Sequence, residues 1–153
     1  MALSRIINRC FKMVLVKYHS REMIRKYLRF YTAPAIIQRA QQSHVYTVLH
    51  DDIIVGTGTI SLPSQETSLL EGIYIDPDYE GYGFGRKLIE SLEQDAFYSK
   101  TNCTELYASG FGAGFYRHLG YRDWDILKRP DIQGVYGMYK FHTCNNSVDS
   151  KLE

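Results

Sequence analysis

The residues whose types and spacing could do chemistry lie between Glu71 and Leu88. The run Glu71-Gly72-Ile73-Tyr74-Ile75-Asp76-Pro77-Asp78-Tyr79-Glu80-Gly81-Tyr82-Gly83-Phe84-Gly85-Arg86-Lys87-Leu88 reads as a strand, a turn, three alternating glycines and a helix. Glycines at 81, 83 and 85 permit positive φ and the close approach of a ligand. Successive backbone N–H groups in such a turn can converge on one anion. A helix starting near Phe84 adds its unpaired N–H groups and the positive end of its dipole. Arg86 and Lys87 strengthen the anion reading, because cations in a first helical turn oppose the dipole at a cost of roughly 0.3–1 kcal/mol each. A phosphate in front of them reverses that sign; the alternative, both side chains bending into solvent, needs no ligand. Two familiar phosphate motifs fail on the residues. The dinucleotide pattern GxGxxG places Leu88 where the third glycine belongs, and the P-loop needs Gly-Lys-Ser/Thr where Gly85 is followed by Arg86.

These residues must be positioned by the elements around them. Phe11–Tyr18 reads as a first strand centred on Val14, Leu15 and Val16. Ser20 is an N-cap candidate for a helix over Arg21–Tyr31, where Met23, Ile24, Tyr27, Leu28 and Tyr31 recur at helical spacing. Pro34 suits the first turn of a short second helix, Ala35–Gln42. Val45–His50 and Ile53–Leu62 read as strands joined by Asp51-Asp52, a hairpin link. Leu69–Ile75 is a further strand, ended by Asp76-Pro77-Asp78. Phe84–Tyr98 is the clearest helix, with Phe84, Leu88, Leu92 and Ala96 four apart. Thr104–Ala108 reads as a short strand and Gly112–Leu119 as a short helix closed by Gly120. Trp124–Leu127 and Val135–Phe141 read as a last strand pair. The order β-α-α-β-β-β-α-β-α-β-β predicts an α/β fold of the mixed α+β kind, a central mixed sheet flanked by helices. One domain over residues 11–142 is expected, with residues 1–10 an extension, dispensable if translation starts at Met13, and 143–153 a polar, disordered tail.

Bulk properties bound the function. A chain of 153 residues suits a single core, and its 44% hydrophobic and 23% charged residues are ordinary for a globular domain. A net charge of +1 does not support a nucleic-acid footprint. The basic residues from Arg5 to Arg29 are interrupted by aromatic and aliphatic ones and read as a solvated helix face. Cys10, Cys103 and Cys144 are odd in number and far apart, and the histidines lack metal-ligand spacing. This argues against a disulfide framework and a structural zinc site; no metal and a reducing, cytoplasmic setting are expected. No apolar run reaches the ~18 residues of a membrane span, so neither membrane nor nucleic acid is an expected partner.

With the dinucleotide and P-loop patterns excluded, the glycine segment resembles the signature of the GCN5-related N-acetyltransferases, the GNAT family: a strand, a proline-containing turn, then Arg/Gln-x-x-Gly-x-Gly/Ala leading into a helix. Here that stretch is Glu80-Gly81-Tyr82-Gly83-Phe84-Gly85. Downstream, Phe115-Tyr116-Arg117-His118-Leu119-Gly120-Tyr121 resembles the family's second signature, and Tyr136-Gly137-Met138-Tyr139-Lys140 its last strand. The resemblance covers residues 12–141 and implies a GNAT-like acyl-CoA N-acyltransferase fold. It also implies transfer of an acetyl group from acetyl-CoA, a co-substrate, to a primary amine of a small molecule or peptide. The chain is expected to act as a monomer or homodimer. The alternative is a non-catalytic acyl-CoA-binding regulatory module.

Carried over residue by residue, the resemblance assigns the pantetheine arm to the backbone of Ile73, Tyr74 and Ile75. The pyrophosphate falls to Gly81, Tyr82, Gly83, Phe84, Gly85 and Arg86. Ser109 and Gly112 stand where relatives often have Asn and Ala. Tyr116 matches the general acid that protonates the leaving thiolate. Amine attack on a thioester needs a neutral amine, a donor for the oxyanion and a proton for the sulfur, and a tyrosine hydroxyl can supply the last. Tyr116 as a packed aromatic is the competing reading. Glu71 matches a catalytic glutamate of some relatives; it could equally be an exposed strand-end carboxylate, and proton removal through water needs no dedicated base. His118, on another helix face, reads as a surface residue. Glu80 departs from the pattern: a carboxylate stands where Arg or Gln is usual, beside the expected pyrophosphate. An aromatic-walled acceptor site drawn from Tyr27, Tyr31, Tyr136 and Tyr139, with Arg25 and Arg29, is the corresponding expectation for the amine.

Overall fold

The first element of the chain is a helix, not a strand. The computed structural model describes residues 2–131 and 133–143, and in it α1 runs over Ala2–Met13. Leu3, Ile6, Ile7, Cys10 and Phe11 recur every three or four residues and are all buried, so one face of the helix is apolar and Arg5 points outward. The expected strand Phe11–Tyr18 is thereby replaced by the end of α1 and a 3-10 turn over Leu15–Lys17. Residues 1–10, expected as an extension, contribute core side chains from Leu3 onward. The expected disordered tail lies outside the described residues beyond Thr143.

Helix α2, Arg21–Phe30, starts at Ser20, whose hydroxyl accepts the Met23 N–H at 3.2 Å. Helix α3, Ala33–Arg39, carries Pro34 in its first turn, two residues earlier than expected. Strands β1, Ser43–His50, and β2, Ile53–Ser61, form an antiparallel hairpin. Its link works because Asp51 and Asp52 both take positive φ (48° and 61°), the twist a two-residue hairpin turn requires. Strand β3, Thr67–Ile75, pairs with β2 antiparallel and with β4, Cys103–Ser109, parallel. The six strands run in the order β1-β2-β3-β4-β6-β5, where β6 is Val135–Phe141 and β5 is the two-residue Arg122–Asp123. The expected strand Trp124–Leu127 does not form. Trp124 instead leans over Gly137, where an added Cβ would stand 3.0 Å from the indole.

The helix expected over Phe84–Tyr98 is two helices, α4, Phe84–Leu92, and α5, Ala96–Ser99. Asp95 breaks it. Its carboxylate caps α5 by accepting the Phe97 N–H at 2.7 Å, and also takes the Tyr46 hydroxyl at 2.7 Å and faces His44 Nδ1 at 2.8 Å. Partners about fifty residues away in β1 therefore decide a helix boundary. Helix α6, Ala113–His118, ends before Gly120, whose φ of +90° makes the stop.

The helices occupy both faces of the sheet. Side chains alternate along a strand, so neighbours on β1 point to opposite sides. Val45 joins the core under α1, α2 and α3, whereas Tyr46 and Val48 join the core under α4 and α6. Gly58 on β2 lets α4 approach closely: a Cβ there would stand 3.0 Å from Leu92 and 3.2 Å from Leu88.

Candidate active site

The site begins as a defect in the sheet. Parallel pairing of β3 with β4 covers only Thr67–Leu70 against Cys103–Leu106. Beyond that, Thr57 and Thr59 of β2 face Tyr74 and Glu71, so Gly72 and Ile73 together oppose Gly58. This is a β-bulge, and Gly72, at φ +60°, takes the left-handed conformation that bulges of this kind assign to glycine. A bulge bends its strand and adds twist. Residues Glu71–Ile75 consequently leave β4, whose own end, Tyr107–Ser109, continues along β6.

A cavity of about 970 Å³ opens in the gap. Its volume matches the upper range of small-molecule and cofactor sites. The turn after β3 closes one end. Asp76 anchors that turn: its N–H donates to the Val55 carbonyl at 2.7 Å and its carboxylate accepts the Asp78 N–H at 3.1 Å. Arg9 of α1 reaches both Asp76 oxygens at 2.7–2.8 Å and Asp78 at 2.7 Å, tying the first helix to the loop. The Asp78 hydrogen bond and the two acid charges hold the Arg9 guanidinium above its ordinary range, working against the partial desolvation that would lower it.

Gly83 is the N-cap of α4 at φ +80°, with no side chain to cap the helix. The first intrahelical bond runs from Lys87 N–H to the Gly83 carbonyl. From Gly81 through Arg86, no backbone N–H donates to an acceptor among the described residues. A row of free donors at a helix N-terminus is an anion site. No acidic residue lies in the first turn of α4 to occupy it, and Arg86 and Lys87 make no ion pair among the described residues.

Tyr116 stands on α6 behind the parted strands. It is 9% exposed, its ring meets Phe115 edge-on at 5.2 Å, and its hydroxyl has no hydrogen-bond partner among the described residues. Burial raises this phenol well above its ordinary value, so it keeps its proton across the biological pH range. Tyr74 and Tyr31, 5.4 Å apart edge to face, form a phenol pair on the cavity wall; burial likewise raises both.

Of the residues singled out in the sequence, Glu71, Ile73, Tyr74, Ile75, Gly81, Gly83, Phe84, Gly85, Arg86, Ser109, Gly112 and Tyr116 line this one cavity. Tyr82 does not: its side chain is 66% exposed and stacks on Phe84 outside. Glu80 also reaches the lining, at the glycine end, and its charge is felt at Cys10. Of the expected acceptor residues, Tyr27 and Tyr31 reach the cavity. Arg25 and Arg29 are exposed on α2, Tyr136 lies beneath the Arg117 guanidinium, and Tyr139 packs on Trp124. Cys10, His19, Asp131 and Gln133 line the site without having been singled out for it. The three-and-four spacing of α1 was the available signal for Cys10. Its thiol donates to the Ile75 carbonyl at 3.1 Å, and burial pushes it up to about 12, so it is unreactive as a nucleophile.

Residues 41–123 of the chain match the acetyltransferase (GNAT) domain family, a stretch that includes the hairpin, the bulged strand, the glycine turn and Tyr116. This chain belongs to the GNAT acetyltransferase family. Among curated relatives, a protein of Bacillus subtilis strain 168 named as an acetyltransferase is 32% identical over 73 residues, 48% of this chain and 49% of its own length. An uncharacterized N-acetyltransferase of Gracilaria tenuistipitata is 27% identical over 86 residues, 56% of this chain and 43% of its own. The matches thus span less than half the length of these relatives. Among solved structures, the PaiA N-acetyltransferase of Thermoplasma acidophilum, in complex with coenzyme A, superposes with a TM-score of 0.77 at 18% identity, covering 92% of this chain and 91% of that one. A GNAT acetyltransferase of Elizabethkingia anophelis with acetyl-CoA bound gives a TM-score of 0.59 at 15% identity, over 72% and 84% of the two chains. These likenesses show that this GNAT chain has the family's fold. No helix among its described residues is long and apolar enough to cross a membrane.

Proposed function

We propose that this GNAT chain transfers an acetyl group from acetyl-CoA to a primary amine by direct attack. The observation that carries the reading is the placement of the Tyr116 hydroxyl, without a hydrogen-bond partner among the described residues, on the same cavity as the free N–H row of Gly81–Arg86. Each group lacks a partner among the described residues where a phosphate-bearing thioester would supply one, so the ligand would complete hydrogen bonds that these residues leave open. The similar chains of Thermoplasma and Elizabethkingia, which hold coenzyme A and acetyl-CoA, support the choice of ligand.

The chain's own residues then divide the work. The Gly81–Arg86 amides and the positive end of α4 hold the pyrophosphate. Backbone beyond Leu70, freed from β4 by the bulge, offers polar groups to the pantetheine arm and an N–H to the oxyanion that forms when the amine nitrogen bonds to the thioester carbon. As the C–S bond breaks, Tyr116 donates its proton to the departing sulfur. The amine must arrive neutral or lose its proton at the site, and Glu71, half-buried on the parted strand without a hydrogen-bonded side-chain partner among the described residues, is the carboxylate that would take it.

A non-catalytic acyl-CoA-binding module is the second reading. Glu80 favours it, because this carboxylate lines the phosphate end of the cavity and weakens anion binding there. Isothermal titration with acetyl-CoA and a thiol-release assay over a panel of primary amines separate the two. Binding with amine-dependent thiol release is expected. Binding without release from any amine supports the module, and absence of binding overturns both.

A further inference from the structure

The end of the cavity away from the glycine turn is built differently. Its wall is Tyr27 and Tyr31, one helical turn apart on and just after α2, both packed against Phe11 at 6.0–6.1 Å. The turn before β6 forms the opposite lip. There Asp131 Oδ1 accepts the Gln133 N–H at 2.8 Å and the Val135 N–H at 2.9 Å, fixing the carboxylate. Gly134 of the same turn brings the lip against the start of α2: a Cβ there would stand 3.8 Å from the Tyr18 carbonyl and 4.0 Å from His19 Nδ1.

Two carboxylates therefore face this half of the cavity, and they sit apart. Glu71 lies deep, on the parted strand, close enough for its charge to be felt at Tyr31. Asp131 lies at the lip, close enough to be felt at Tyr27. Neither has a cationic partner among the described residues, and Arg86, at the phosphate end, is the only lysine or arginine on the lining. Between them lies aromatic surface about one helical turn, roughly 6 Å, in length. The Tyr116 hydroxyl, also without a hydrogen-bond partner among the described residues, lines the same cavity and is open to a ligand.

Resting on the acetyltransferase reading, we infer that the acceptor is an aliphatic amine carrying a second cationic group: the reacting amine sits at Glu71 and Tyr116, the hydrocarbon spacer lies on Tyr27, Phe11 and Tyr31, and the distal cation pairs with Asp131. Tyrosine rings favour such a spacer and cation by contact and by their quadrupoles.

The test uses the full chain saturated with coenzyme A, so that amine binding is read by calorimetry without turnover. Straight-chain diamines of four, six and eight carbons are compared with monoamines and terminal amino acids of equal length. The best diamine should bind about tenfold more tightly than its monoamine, the effect of one charge-assisted contact, with the amino acid weakest. Asp131→Asn keeps the Oδ1 acceptor that holds the turn and removes only the charge. It should erase the preference for diamine over monoamine while leaving coenzyme A affinity unchanged. If coenzyme A binds but diamines show no advantage, or if the advantage survives in Asp131→Asn, the inference is overturned and the acetyltransferase reading stands. If coenzyme A itself does not bind, that reading falls and takes the inference with it.

Discussion

The two ends of the β3–β4 pair teach opposite lessons from nearly the same material. At the closed end, Thr67–Leu70 and Cys103–Leu106 are in parallel register, and small hydroxyls stitch them together. Ser68 Oγ lies 2.7 Å from Thr104 Oγ1, Thr101 donates to Ser68, and Thr104 Oγ1 meets His142 Nε2 at 2.8 Å, with Ser68 and Thr104 fully buried. The three hydroxyls of Ser68, Thr101 and Thr104 are satisfied internally, so they hold this end of the sheet together. At the open end the Gly72 bulge turns β3 aside, and the polar groups that pairing would have consumed face a cavity instead. The candidate site lies where backbone donors of the turn after β3 are left without partners among the described residues.

That contrast can be broken most severely at the open end. Replacing Gly83 with valine asks a β-branched residue to hold φ +80°, at about 1–2 kcal/mol of strain. A Cβ there would meet no protein atom within 4 Å, so the fold should survive while the amides it orients are displaced. Coenzyme A affinity measured by calorimetry should fall by about a hundredfold or more, as for the loss of several charge-assisted hydrogen bonds.

Tyr116→Phe removes the proposed proton donor and little else, since the hydroxyl has no hydrogen-bond partner among the described residues. Turnover should drop by about a hundredfold, the lower end for general acid catalysis, with the KM for acetyl-CoA nearly unchanged. The pH profile sharpens the claim. Because burial raises this phenol above the ordinary tyrosine value of 10.0, the rate should climb with pH as the amine loses its proton, and show no falling limb from Tyr116 below that value. Equal turnover in the phenylalanine variant would reduce Tyr116 to packing.

The closed end should respond in stability instead. Thr104→Val is close to isosteric but leaves Ser68 and His142 without a shared partner, which should cost about 1–3 kcal/mol in chemical denaturation. Coenzyme A affinity should not change. The smallest effect belongs to His142. It stacks on Tyr98 at 3.7 Å, its Nδ1 is buried without a partner among the described residues, and desolvation lowers it below its ordinary 6.5, with Glu93 opposing and Lys140 assisting. A base that resists protonation only when folded contributes stability that is complete above the unfolded value and declines as pH falls beneath it. Denaturation midpoints should therefore drop modestly from pH 7 to 5.5, and the drop should shrink in His142→Gln.

Much of this was legible in the residues. The hairpin through Asp51-Asp52, the glycine turn, the start of α4 and the short helix bearing Tyr116 all follow from local chemistry: positive φ, free amides, capping and periodicity. Two boundaries were not. Val14-Leu15-Val16 has strand composition, yet the apolar stripe from Leu3 to Phe11 finds a sheet face to bury against and carries the helix through to Met13. The helix from Phe84 ends at Leu92 because Asp95 has partners in β1, which no local pattern announces. The same limit explains Asp131 and His19. Their place on the cavity depends on two distant turns meeting, and neither turn carries a motif. Glu71, by contrast, was visible, but its opening toward the cavity depends on the bulge that Gly72 makes opposite Gly58.

The most direct test of the account is amide resonance mapping during a coenzyme A titration. Backbone N–H signals should move most at Gly81–Arg86 and along Ile73–Ile75, and stay nearly still at Thr67–Leu70 and Cys103–Leu106. Saturating binding whose shifts fall on the closed end, or an absence of shifts at Gly81–Arg86, would contradict it.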